Sequence, residues 1–75
     1  MRDRVIQAMS AEKDFRVSTW MIARRIGART SRVRCELRRM EREGLVCRDG
    51  VSAVNNIIWR LMPRAQNQQE AAIHG

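Results

Sequence analysis

Gly27 stands between two short amphipathic segments, with only Ala28 and Arg29 separating it from the next helical signal. This spacing predicts a sharp bend between two helices, because glycine adopts the left-handed backbone that closes one helix and redirects the chain at little steric cost. Upstream, Ser18 reads as an N-cap, and Ile22, Ala23 and Ile26 form an inward stripe. Downstream, Thr30 or Ser31 is the cap, and Val33, Leu37 and Met40 recur at i, i+4 and i+7 until Gly44 ends the segment. Helices this short are not stable alone, so the rest of the chain must supply a surface on which they pack.

An earlier helix is predicted from Arg2 to about Ala11, with Val5, Ile6, Ala8 and Met9 inward and Arg2, Asp3, Arg4 and Gln7 towards water. Glu12 to Phe15 reads as a loop, and Arg16-Val17 as a short bridging strand. After Gly44 the pattern changes period. Leu45, Val46 and Cys47 are strand-like, Asp49-Gly50 is a turn signal, and Ile57, Ile58, Trp59 and Leu61 form a second β-prone run that Pro63 ends. The tip from Asp49 to Asn56 is expected to be a long mobile loop. Residues 1–62 are thus read as one domain and 63–75 as a flexible tail, with a weak helix from Ala65 to Ile73 as the alternative.

Seventy-five residues offer one small core. With two Trp, one Phe and no Tyr, that core must be filled mainly by Val, Ile, Leu and Met. Fifteen Lys plus Arg against eight Asp plus Glu give a net charge of +7, which favours a polyanionic partner. Lys13 is the sole lysine, so the basic groups are almost all guanidinium forks suited to phosphates and guanine edges. Cys35 and Cys47 read as reduced thiols of a cytoplasmic protein, and two Cys with one His do not complete a zinc site. No stretch is long and apolar enough to suggest a membrane span or a secretory leader. Without a carboxylate pair in a cleft, a Ser-His or Cys-His arrangement or a glycine-rich phosphate loop, neither an enzyme nor a cofactor is expected.

The order helix, short strand, helix, tight turn, helix, hairpin resembles a bacterial winged helix-turn-helix. The resemblance runs from about Val5 to Leu61 and is carried by Ser18-Thr19-Trp20-Met21-Ile22-Ala23-Arg24-Arg25-Ile26-Gly27, by Ser31 to Met40 and by Glu43-Gly44-Leu45-Val46. In that family an Ile-Ala pair packs the second helix, Gly makes the turn, Val and two later apolar residues seat the recognition helix, and Gly-Leu-Val opens the wing. Ala28 and Arg29 depart from the pattern, which commonly has a larger apolar residue and a small capping residue there. The resemblance implies an α+β fold of three helices with a C-terminal β-hairpin wing. It also implies a sequence-specific DNA-binding regulator, of the short stand-alone kind found in pilus operons, phages and plasmids. The third helix, about residues 30–43, would lie in the major groove and the hairpin on neighbouring backbone or minor groove.

On a helical wheel, the face opposite the third helix's apolar seam carries Ser31, Arg32, Cys35, Arg38, Arg39 and Arg42, with Arg34 on one flank. Thr30, Ser31, Arg32, Arg34 and Cys35 are assigned to the end that reaches base edges, and Arg38, Arg39 and Arg42 to phosphates. Ser18, Thr19, Arg24 and Arg25 are candidate phosphate clamps on the second helix. Arg48, Asn55 and Asn56 are the candidate wing contacts. The competing reading of the arginine face is a solvated surface on which Glu36, Glu41 and Glu43 pair with neighbouring arginines of the same helix. Trp59 is read as core, and Trp20 as open to a partner protein. Cys35 is read as a small contact side chain rather than a redox sensor. The alternative function is an adaptor that binds a host or partner protein. A nucleoid-associated monomer, or a dimer formed on duplex DNA, completes the expectation.

Overall fold

The computed structural model describes residues 1–52 and 56–65. Helix α1 (Arg2–Ser10) leads through a tight turn at Lys13–Phe15 into strand β1 (Arg16–Ser18). Helices α2 (Thr19–Ile26) and α3 (Thr30–Arg42) follow, then strands β2 (Val46–Val51) and β3 (Ile57–Leu61). The three strands form one antiparallel sheet in the order β1-β3-β2.

Both helix ends placed by glycine follow from local chemistry. Gly27 closes α2 at φ 68°, where the Ala28 N–H donates back to the Ala23 carbonyl at 2.9 Å. Gly44 repeats the device at φ 78°, with the Leu45 N–H donating to the Met40 carbonyl at 2.9 Å. Each satisfies a carbonyl that the helix leaves without a partner. Ser18 caps α2 as expected, its Oγ accepting from the Met21 N–H at 3.3 Å. The start of α3 differs from expectation: Arg29 is the N-cap, without a side-chain hydrogen bond, and Thr30 is already helical. The Arg29 carbonyl accepts from the Arg32 and Val33 amides, so the helix begins one residue earlier than the hydroxyls suggested.

The core lies between the three helices and the inner face of the sheet. Val5, Met9, Ile22, Val33, Leu37, Met40, Leu61 and Trp59 are all buried within it, and Phe15, Ile26 and Ile57 flank it. Trp59 is completely enclosed, as its place between Ile57 and Leu61 predicts. Cys47, in β2, is half-buried and its thiol is free.

The hairpin is more ordered than the turn signal implied. Asp49-Gly50 is not its tip: β2 runs on to Val51, which pairs with Ile57, and the register shifts between Arg48 and Val51. Gly50, at φ 127°, absorbs that irregularity, and the Ser52 N–H closes on the Asn56 carbonyl at 2.8 Å. The expected loop from Asp49 therefore shrinks to the few residues beyond Ser52, of which 53–55 lie outside the described residues. Beyond β3, Pro63 to Ala65 make a helical turn, and Ala65 is fully buried. The chain is thus still docked on the core two residues past Pro63, and residues 66–75, with most of the anticipated tail or terminal helix, lie outside the described part.

Candidate nucleic-acid interface

Helix α3 is held by its buried seam, Val33, Leu37 and Met40, which turns its opposite side outward. Ser31, Arg32, Arg34, Cys35, Arg38, Arg39 and Arg42 are all exposed there, and Thr30 is half-buried at the helix start. The carboxylates of α3, Glu36 and Glu41, and that of its C-cap, Glu43, do not pair with these arginines. Arg2, at the start of α1, reaches across to Glu36 at 3.1 Å and to Glu43 at 2.6 Å. Arg48, from β2, takes Glu41 at 3.2 Å. None of Arg32, Arg34, Arg38, Arg39 and Arg42 has an ion pair among the described residues. The competing picture of acids and bases pairing along one helix is therefore replaced by pairing between elements, which leaves a face of uncompensated positive charge.

Arg2 keeps its place on the water-facing side of α1, but it is engaged there in a way the sequence does not show: its guanidinium makes a two-pronged contact with Glu43, at 3.0 and 2.6 Å, and its Nε donates to Glu36 at 3.1 Å. The hydrogen bond to Glu43 is the main reason that the Arg2 pKa is raised, and the same bond holds the Glu43 carboxyl below the usual carboxylate value. No local signal could have found these pairs, because 34 and 41 residues separate the partners.

The other expected contacts are placed less favourably. Thr19 is corrected outright: it is 1% exposed, its hydroxyl donates to the Ile57 carbonyl at 3.2 Å and accepts from Trp59 Nε1 at 2.7 Å, so it cannot clamp a phosphate. Ser18 is half-buried and its oxygen caps α2. Arg25 is ion-paired with Glu12. Arg48 lies over the Trp59 ring, 5.4 Å from its centroid, besides holding Glu41. The Asn56 Oδ1 accepts from the Trp20 N–H at 3.3 Å and so ties the hairpin to the first turn of α2, a strut rather than a free wing tip. Asn55 lies outside the described residues. Arg24 remains exposed, its guanidinium 5.3 Å from the centroid of the Trp20 ring. Trp20 itself is 49% exposed.

Across the outer face of the sheet, Arg16 spans from β1 to Asp49 on β2, with 2.6 Å between Nε and the carboxylate and 3.1 Å to the Asp49 carbonyl. Among the described residues, no cluster of three or more His, Cys, Asp or Glu could hold a metal ion, and no helix is long and apolar enough to cross a membrane.

Three helices bent at Gly27, a short strand that closes the sheet and a C-terminal hairpin define a winged helix-turn-helix, the α+β fold anticipated from the sequence. Among solved structures the chain is similar to the AntR antimony-specific transcriptional repressor, with a TM-score of 0.79 and 19% identity. The match covers 96% of this chain and 62% of that one, so the present chain spans under two thirds of the repressor's length. No family model matches the sequence, and no curated protein matches it.

Proposed function

We propose that this chain binds double-stranded DNA in a sequence-dependent way and acts as a small transcriptional regulator or a phage or plasmid accessory factor. The observation that carries the reading is the row of exposed arginines on α3 of a winged helix, none with an ion pair among the described residues. In this reading α3 enters the major groove. Thr30, Ser31, Arg32, Arg34 and Cys35 approach base edges, and Arg38, Arg39 and Arg42 meet phosphates. Arg24, exposed on α2, adds a backbone contact. Similarity to a transcriptional repressor supports the same direction. The protein would work as a monomer, or as a dimer assembled on the duplex, in the cytoplasm at the nucleoid and without a cofactor or catalytic step.

The test is selection from random duplexes, repeated with Arg32→Ala and Arg34→Ala. Enrichment of one sequence by the wild-type protein, relaxed at particular positions in the variants, is the expected result. A pool that never enriches overturns the reading.

The exposed Trp20 supports a second reading, an adaptor that docks a partner protein on α2. Stoichiometric recovery of a protein partner, poorly competed by duplex DNA, would favour it.

A further inference from the structure

Glu36 lies four residues after Arg32 and three before Arg39, and Glu43 lies four after Arg39. At about 100° per residue these four side chains fall in one narrow sector of α3, at the spacings where opposite charges on a helix meet. Left to α3 alone, each carboxylate would have an arginine of the same helix within reach. The structure pairs them elsewhere: Arg2 binds Glu36 at 3.1 Å and Glu43 at 2.6 Å. Arg2 is 35% exposed in its side chain and Glu36 only 16%, so the contact lies on the shoulder where α1 meets α3 rather than on the outermost surface. A shallow groove lined by Met1, Ser31, Arg32, Cys35, Glu36 and Arg39 runs beside it.

From this arrangement we infer that Arg2 is a positioning residue for nucleic-acid binding: it draws Glu36 and Glu43 away from Arg32 and Arg39 and so keeps both guanidinium groups available to the polyanion. The inference rests on the DNA-binding reading above. The physical argument is one of competition. A carboxylate paired with an arginine on an open surface makes that arginine neutral towards a phosphate, and a neutralised arginine releases no counterion when the complex forms. Arg2 acts from a different helix, and its single guanidinium binds both acids, so that with Arg32 and Arg39 the three guanidinium groups and two carboxylates leave one net positive charge. Removing it takes the sector from one net positive charge to none and lets each carboxylate pair with an arginine of α3. It also leaves two carboxylates facing the approaching phosphates.

The experiment is a double-mutant cycle read by fluorescence anisotropy on a fixed labelled duplex over a salt series. Its four proteins are the wild type, Arg2→Met, Glu36→Gln/Glu43→Gln and the triple variant. In the wild-type background, Arg2→Met is expected to weaken binding about tenfold near 0.1 M salt and to flatten the log-log salt slope by about 1, the signature of one net positive charge lost from the contact surface. In the Glu36→Gln/Glu43→Gln background, where no carboxylate is left to sequester Arg32 or Arg39, the same change is expected to alter affinity less than twofold. Thermal melts of all four proteins establish that each is folded at the assay temperature. An Arg2→Met loss of binding that tracks its loss of melting temperature, with the salt slope unchanged, would show that the role is structural and overturn the inference. Equal losses in both backgrounds would mean that Arg2 touches the duplex itself, which also overturns it, as would an Arg2→Met protein that binds like the wild type. If the wild type binds no duplex at all, it is the DNA-binding reading that fails, a result distinct from each of these.

Discussion

The indole N–H of Trp59 donates to the hydroxyl of Thr19 across 2.7 Å in the interior of the protein, where both residues are buried. The same hydroxyl donates to the Ile57 carbonyl at 3.2 Å, so a single threonine joins α2 to two alternate positions of β3. Thr19→Val keeps the shape and removes the relay, leaving the indole N–H without an acceptor. A loss of about 1–3 kcal/mol in urea unfolding is expected, and Thr19→Ser should recover most of it. An unchanged midpoint for the valine variant would refute this account of the α2–sheet junction.

Gly27 has nothing within 4 Å of the position an added Cβ would occupy, so its requirement is purely one of backbone conformation at φ 68°. Gly27→Ala is expected to destabilise the fold by about 1–2 kcal/mol. The D-alanine isomer, made by chemical synthesis, should be as stable as glycine or more so, because its stereochemistry favours that region and it restricts the unfolded chain. Equal destabilisation by both isomers in thermal melts would point to a packing conflict instead.

The pH dependence of stability should carry the mark of the Arg2–Glu43 contact. Arg2, through its hydrogen bond, holds the Glu43 carboxyl below its ordinary value of 4.5, so the folded state binds this proton less readily than the unfolded one. The stabilisation from this group is therefore complete above that ordinary value and is lost as the pH falls through the lower, folded value. Both side chains are solvent-accessible, and the effect is correspondingly small. The gap in melting temperature between wild type and Glu43→Gln should narrow as the pH is taken from neutral to progressively below the ordinary carboxylate value, and a gap independent of pH would contradict the assignment.

Arginines with and without an internal partner should behave differently towards duplex DNA. Arg38 and Arg42 are exposed and have no ion pair among the described residues, whereas Arg25 is held by Glu12. Arg38→Ala and Arg42→Ala are each expected to lower the log-log salt slope by about 1, and Arg25→Ala to leave it close to the wild-type value, which for about six phosphate contacts lies near −5. Equal effects from all three, measured by anisotropy at several salt concentrations, would argue against the division.

Much of the fold was legible because its determinants are local. The stripes of α1, α2 and α3, the cap at Ser18 and the left-handed exits at Gly27 and Gly44 are each set within a few residues, and they appear in the structure within a residue or so of where the pattern puts them. The outward face of α3 was readable for the same reason. What the sequence concealed is non-local. Thr19 looks like an exposed phosphate-clamping hydroxyl, and only the approach of Trp59 from 40 residues away turns it inward. Asp49-Gly50 carries a turn signature, yet pairing of Val51 with Ile57 extends the strand past it. Asn56 resembles a loop-tip contact until the amide of Trp20, 36 residues earlier, claims its side chain. The pairing of Glu36 and Glu43 with Arg2 is of this kind too, since helical spacing alone directs them towards Arg32 and Arg39.

The struts between α2 and the hairpin have a mechanical consequence. Thr19 and Asn56 fasten the loop end of the hairpin to the helix that carries the Gly27 bend, so α3 and the hairpin are offered to a partner as two jaws of one caliper braced against each other. For the duplex proposed as that partner, the local width of the grooves must suit the gap. Sequences that narrow or widen readily would then be preferred even at base pairs no side chain reaches.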